Sequence, residues 1–342
     1  MTLGSAIGRV LRATGKKLES VLTVETRPER PDITAVICTY DRYDLLEKAV
    51  DSLRRQTLAK TRFEVMIVDN SPDLIKAEAE KARYVRDGFV TYIVERIPGL
   101  SNARNVALRE CRSPVISYLD DDAIAHPGWL EKTLAAFEAF PGQAGVVGGR
   151  INPMWAAPRP GWLADSMLGC LTVVDWGGPL RIAAPNEWVA GANISFLAAP
   201  LREIGGFPTN LGRVGSGNIL LSNEEIRVLA EMPNKGLKVI YAPEAEVDHL
   251  VDVRRLDQSW LRKRMAWQAV SDFIKDSDVQ GVDAKARWRE VASFVNSLPP
   301  RQRTPRAFFQ HCDDAGEFER QLGCIYNLSM VLLSGMTLGD ED

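Results

Sequence analysis

The sequence predicts an α/β protein built on an open sheet flanked by helices, with a helical C-terminal extension. Three observations predict it. Short β-branched apolar runs alternate with helix-period segments four times in about ninety residues from residue 33. Parallel strands need such crossovers, so this half reads as an open α/β sheet. From about residue 256 onward the pattern is mainly helical, with a polar break at 298–306.

The elements follow in order. "RPERPD" (27–32) is a proline-punctuated linker, so the folded domain is expected to start directly after it. "ITAVICT" (33–39) has the continuous apolar character of a strand buried on both faces. "DLLEKAVDSLRRQ" (44–56) carries apolar residues at 45, 46, 49, 50 and 53, a helical period. "FEVMIVDNS" (63–71) is a second strand, followed by a charged helix near 74–86, a strand at 90–95, a helix at 101–111 and the strand "PVISYLD" (114–120). The second half is less regular. "AGVVGGRINPMW" is a strand, residues 155–188 read as loops lining a cleft, and "EWVAGANISFLAAPLREIGGF" reads as strand, turn and helix. "SNEEIRVLAEMPNKG" is a short helix stopped by Gly236, before two strand-like runs, "LKVIYAP" and "AEVDHLV". The domain reading is an N-terminal segment (1–30), a catalytic domain (31–255, divided at 125/126 into nucleotide-binding and acceptor halves) and a helical region (256–342).

Composition narrows the function. At 342 residues, 45% hydrophobic and with a net charge of -3, the chain can bury a sizeable core and has no global attraction for nucleic acid. Five scattered cysteines without a CxxC pair suggest buried thiols in a reducing compartment, not a disulfide framework or zinc module. No secretory signal or bilayer-spanning run is present, which points to the cytoplasm. Within the first segment, Ile7, Val10, Leu11, Leu18 and Leu22 recur near helical spacing, interleaved with Arg9, Arg12, Lys16 and Lys17. Such a segment suits either a surface helix or peripheral contact with the inner face of an anionic membrane.

The chemistry gathers where strands end, because open α/β sheets bind ligands beyond the carboxyl ends of their strands. Thr39 and Tyr40 follow the first strand, Asp69 and Asn70 end the second, and Asp120, Asp121 and Asp122 end the fourth. Three adjacent carboxylates repel one another unless a cation neutralises them. Asp120 and Asp122 form a DxD pair suited to a hard divalent ion; the alternative is a solvated turn capping the helix near Pro127. "GLSNARN" (99–105) offers Ser101 as an N-cap, a helix start that presents N–H groups to anions, and Arg104 to reach a phosphate or base edge. Glu224 and Glu225 are a second acidic pair; Ser222 with Glu225 also spells a capping box.

The motifs "TAVICTYDR", "VMIVDNS", "GLSNARNVAL", "ISYLDDDA" and "WVAGANISF…IGGF" together resemble a family 2 glycosyltransferase of the exopolysaccharide and cell-surface glycan type, over roughly residues 33–270. The resemblance implies the GT-A fold, a nucleotide-binding open mixed sheet flanked by helices. It implies Thr39, Tyr40, Asp41 and Asp69 around the nucleotide, Asn102 and Arg104 nearby, and Asp120, Asp121 and Asp122 at the metal and diphosphate. Asn193 would line the sugar pocket and His249 would complete the metal site. Glu224 or Glu225 would be the catalytic base, with Glu225 preferred, and Arg264, Trp267 and Gln268 would approach the diphosphate or a phosphorylated acceptor. The implied cofactor is Mn2+ or Mg2+. The implied donor is a nucleoside-diphosphate sugar, UDP-linked before GDP-linked, and the acceptor a glycan or polyprenyl-linked glycan; the implied stereochemistry is inversion.

Three rivals fit less well. A haloacid-dehalogenase-type phosphatase has Thr or Val where this chain has Ile124, and its DxD usually follows the first strand. A sugar nucleotidyltransferase wants a glycine-rich loop after the first strand, and "CTYDRYD" has no glycine. A catalytically silent sugar-nucleotide-binding protein would not need both acidic constellations.

Overall fold

Alternate residues of the first strand face opposite ways, and this sorts the molecule into layers. In a computed structural model, which describes residues 31–215, 219–276 and 283–335, Ile33, Ala35 and Ile37 join one apolar cluster and Val36 the other. The first cluster takes Leu46, Ala49, Val50 and Leu53 from helix α1 (Tyr43–Arg54). The second takes Ala103, Val106 and Ala107 from α3 (Leu100–Glu110). Each fully buried leucine in these layers contributes about 1.5–3 kcal/mol. The basic N-terminal segment, residues 1–30, lies outside the described residues.

The sheet has nine strands: β1 (Ile33–Thr39), β2 (Phe63–Asp69), β3 (Val90–Val94), β4 (Val115–Asp120), β5 (Ala123–Ala125), β6 (Ala144–Trp155), β7 (Arg181–Ile182), β8 (Asn193–Leu197) and β9 (Lys238–Val251). Their order is β3-β2-β1-β4-β8-β6-β9-β5, with β7 on β9. Strands β1 to β4 pair in parallel, joined by α1, α2 (Leu74–Asp87) and α3. Beyond β4 the direction changes: β8 pairs antiparallel with both β4 and β6, so the sheet is mixed. Helix α2 shows how sequence sets an element's limits. Asp73 accepts from the N–H groups of Ile75 and Lys76 at its start, and Gly88, at φ 79°, adopts the left-handed conformation at its end.

Two expectations change here. The strand-like runs on either side of Pro243 form one long strand, β9, whose irregular pairing with β6 between Gly149 and Ile151 absorbs the break. That continuity carries His249 to the rim of the sheet. The acids after β4 do not cap a helix, because α4 (Trp129–Ala139) begins later, with Gly128 at its N-cap and no side-chain cap.

The remaining helices are α5 (Ala198–Glu203), α6 (Glu224–Glu231), α7 (Gln258–Asp276), α8 (Ala284–Ser297) and α9 (Ala315–Leu333). A third apolar cluster joins Leu261 of α7 and Phe318 and Leu322 of α9 to Trp162, Met167, Leu171 and Val251. The C-terminal helices are thereby seated beside the end of β9. Among the described residues, no helix is long and apolar enough to cross a membrane.

Candidate functional site

Strand register builds the site. Thr39 lies opposite Asp69 across β1 and β2, and Cys38 lies opposite Asp120 across β1 and β4. The ends of the first, second and fourth strands therefore share one rim. His249 reaches it from β9, opposite Ala123 of the short strand β5.

Ligand atoms of Asp120, Asp122 and His249 all lie within 4.8 Å of one another. Asp122 and His249 are almost completely buried, and the Asp122 Oδ1 to His249 Nε2 distance is 3.3 Å. The other imidazole nitrogen, Nδ1, is buried without a hydrogen-bond partner. Two carboxylates and an imidazole with an unsatisfied nitrogen fit a divalent ion. Burial pushes the Asp122 carboxyl up, but His249, Arg42 and Arg255 outweigh it and hold it well below the usual carboxylate range.

Asp121 does different work. It accepts from Thr39 Oγ1 at 2.8 Å and from Arg42 Nη1 at 2.8 Å, while Arg42 Nη2 reaches Asp122 Oδ2 at 2.7 Å. Arg42 thus straddles two neighbouring acids, and Asp121 fastens the fourth strand end to the first. Burial pushes the Asp121 carboxyl up to about 7, with Arg42 opposing and Asp122 adding to the rise.

Several of the expected site residues bond to partners within the protein. Asp69 is fully buried and accepts from Tyr43 OH, Tyr92 OH and both the N–H and hydroxyl of Ser71, so its oxygens lock strand ends together. Asn193 accepts from Trp129 Nε1 and donates to the carbonyls of Arg150 and Ala245, which leaves no amide donor for a sugar. Asp41, at φ 53°, points outward and pairs with Lys76 at 2.7 Å. Tyr40 is half-buried, and Asn102 donates to the carbonyl of Ile97.

Arg104 also has its partner within the protein. Its side chain is 3% exposed and bonds Glu224 Oε1 through Nη1 at 2.9 Å, so it bridges parts of the protein instead of projecting as a free anion ligand. Ser101 does not cap α3: Gly99 holds the N-cap position, and the Ser101 hydroxyl donates to the carbonyl of Leu211. The capping box at 222–225 is likewise absent. Asn223 is the N-cap of α6, and Ser222 instead bonds Ser271 and Gln268. Gln268 further donates to Asn223 and Asp272, tying the loop before α6 to α7. Trp267 is half-buried.

Glu224 and Glu225 open α6. Glu225 Oε1 accepts from the Gly191 N–H at 3.2 Å, which puts the carboxylate beside the "WVAGAN" loop. Each glutamate retains a buried Oε2 without a partner. Burial, with Glu225 adding, pushes the Glu224 carboxyl up to about 8 against the pull of Arg104. Around the two acidic clusters stand arginines, of which motif reading named Arg264 and missed Arg42, Arg213 and Arg255. Arg42 lies within the quoted "TYDR" motif, one residue past Asp41; Arg255 approaches Asp122 at 3.9 Å, and its neighbour Arg213 lies in the loop before α6. Burial and Arg213 press the Arg255 guanidinium down to about 10. Arg264 bonds Ser222 at 3.3 Å and keeps a buried Nη1 without a partner. The visible signal was the basic pair at 254–255, just after His249.

A mixed sheet whose parallel strand ends and rim carboxylates converge on residues able to hold a divalent ion is the architecture of the GT-A fold. Residues 34–171 match the family described as Glycosyl transferase family 2, and the chain carries a family 2 glycosyltransferase domain. The chain is similar to the glucosyl-dolichyl phosphate glucuronosyltransferase of Haloferax volcanii, 27% identical over 247 residues, 71% of this chain and 77% of that protein. It is also similar to the validoxylamine A glucosyltransferase of Streptomyces hygroscopicus, 28% identical over 220 residues, where the match spans 56% of this chain and 50% of the relative. In fold it resembles the mannosyltransferase PcManGT of Pyrobaculum calidifontis, solved with GDP-Man and Mn2+, at a TM-score of 0.55 and 18% identity over 96% of this chain and 97% of that one.

Proposed function

We propose that the protein transfers a sugar from a nucleoside-diphosphate sugar, UDP-linked before GDP-linked, to a hydroxyl of a glycan or polyprenyl-linked glycan, by a direct displacement that inverts the anomeric centre. One observation carries this reading: a converging Asp120, Asp122 and His249 set stands on the strand-end rim, while a separate pair of glutamates stands beside the Gly191 loop. The relative named for a glucosyl-dolichyl phosphate substrate supports a lipid-linked acceptor.

Asp120, Asp122 and His249 would hold Mn2+ or Mg2+, which when bound offsets charge developing on the departing nucleoside diphosphate. Arg255 and Arg264 face the same region and add fixed positive charge where the phosphates gather. Glu225 takes the acceptor hydroxyl proton on Oε2, its other oxygen held by the Gly191 N–H. Glu224 is the less available acceptor of the two, because its Oε1 is held by Arg104 Nη1.

Thermal-shift measurements with UDP, GDP and their sugars, with and without Mn2+, test the donor site. Stabilisation by a nucleoside diphosphate that depends on Mn2+ is the expected result. Melting curves unmoved by every nucleotide under both conditions would overturn the donor assignment.

A further inference from the structure

We propose that Arg104 is a positioning residue that joins the metal side of the site to the proton-accepting side and holds Glu224 and Glu225 in different roles. The proposal rests on reading this rim as a glycosyl-transfer site. Its geometry is unusual for an arginine at a helix start. The guanidinium is buried against the rings of Tyr118 and Phe207, 5.8 and 5.4 Å from their centroids. Nη1 holds Glu224 Oε1 at 2.9 Å, and Nη2 comes within 3.9 Å of Asp120 Oδ1. One rigid cation therefore touches a residue of the metal set and one of the glutamates.

The third contact is with Gly191. A Cβ on that residue would lie 2.2 Å from Arg104 Nη2, so only glycine leaves room for the guanidinium. The N–H of the same Gly191 orients Glu225 Oε1. Arg104 thus holds Glu224 directly, through Nη1, and buttresses the loop that aims Glu225. Removing the guanidinium leaves Glu224 Oε1 without its partner and lets the Gly191 loop relax, and both changes misplace the base without removing it.

The expected kinetic signature separates positioning from mere stability. Arg104→Met should lower kcat by about 100-fold, the lower end of what a positioned base contributes, while the donor KM changes less than about threefold. The acid limb of the pH–rate profile should move to higher pH, because the cation that favours ionised glutamates is gone. Arg104→Lys, which keeps the charge but loses the fork, should recover part of kcat and most of the pH shift. Gly191→Ala should lower kcat while leaving the acid limb in place. A folded Arg104→Met protein with wild-type kcat and an unmoved acid limb overturns the proposal. Should that variant fail to fold, wild-type turnover in both Arg104→Lys and Gly191→Ala overturns it equally.

A second readout does not depend on turnover. Carbon-13 NMR of labelled glutamate carboxyls should show a buried glutamate titrating higher in Arg104→Met than in wild type, and an unchanged titration counts against the proposal. Absence of nucleotide binding and donor turnover in the wild-type protein would sink the reading of the site itself, and the carboxyl titration would still report on Arg104.

Discussion

The two acidic constellations are alike in composition and opposite in wiring. At 120–122, three carboxylates draw on separate cations: Arg42 spans Asp121 and Asp122, His249 and Arg255 approach Asp122, and Arg104 approaches Asp120 from a distance. At 224–225, two carboxylates are anchored by one buried arginine and one backbone N–H, and each keeps an oxygen without a partner. The first arrangement converges ligand atoms on a point, as an ion requires. The second leaves acceptor oxygens beside a glycine loop, as proton transfer requires. Counter-cations, and not the number of acids, distinguish the two jobs.

The comparison breaks most severely at Asp122, which belongs to the ion set and is also a buried counterion. Asp122→Ala should abolish Mn2+-dependent stabilisation by nucleoside diphosphates and lower donor turnover by on the order of 10³-fold. It should also destabilise the fold by about 3 kcal/mol, because Arg42 and His249 lose a buried partner. Calorimetric Mn2+ titration with wild-type affinity would place the ion elsewhere.

Glu225→Gln should sharpen the contrast from the other side. Turnover falls by on the order of 10²- to 10³-fold, while Mn2+-dependent nucleotide binding stays as in wild type. A larger loss in Glu224→Gln than in Glu225→Gln would exchange their roles.

Legibility in the sequence followed the same division. The parallel half was readable because each strand is a short apolar run closed by a polar residue, so Thr39, Asp69 and Asp120 could be set on one rim from alternation alone. The ion set was readable through the DxD spacing, with His249 supplied by family resemblance. What escaped was pairing across long separations. Nothing local shows that Arg104 meets Glu224, 120 residues away, or that Asp69 is enclosed by Tyr43 and Tyr92. The caps failed for a related reason: Ser101 and Ser222 have the right residue type, but partners from Leu211 and Ser271 compete for their hydroxyls.

Glu224 should also mark the pH dependence of stability in metal-free buffer. Glu224 titrates at about 8 in the folded protein, and an unfolded glutamate near 4.3. Between those values the native state holds more protons than the unfolded chain, so this contribution is full below the window and is lost as pH rises through it. Denaturant midpoints measured from pH 5 to 8 should fall with pH, and Glu224→Gln should flatten the slope. An equal slope in both proteins would remove Glu224 as its source.

The smallest effect on chemistry is expected at Asn193, the first residue of β8 and two residues past Gly191. Its amide joins α4, β6 and the β9 backbone through Trp129, Arg150 and Ala245. Asn193→Ala would leave one buried indole N–H without its acceptor and two carbonyls without this donor. Leaving buried polar groups unsatisfied costs about 1–3 kcal/mol, so urea denaturation should show a loss of about 2 kcal/mol. Nucleotide affinity and donor KM should stay within about twofold of wild type, because the Asn193 amide is already committed to protein partners. A selective rise in donor KM with unchanged stability would return Asn193 to the sugar pocket and would mean that the Gly191 loop turns over when the donor binds.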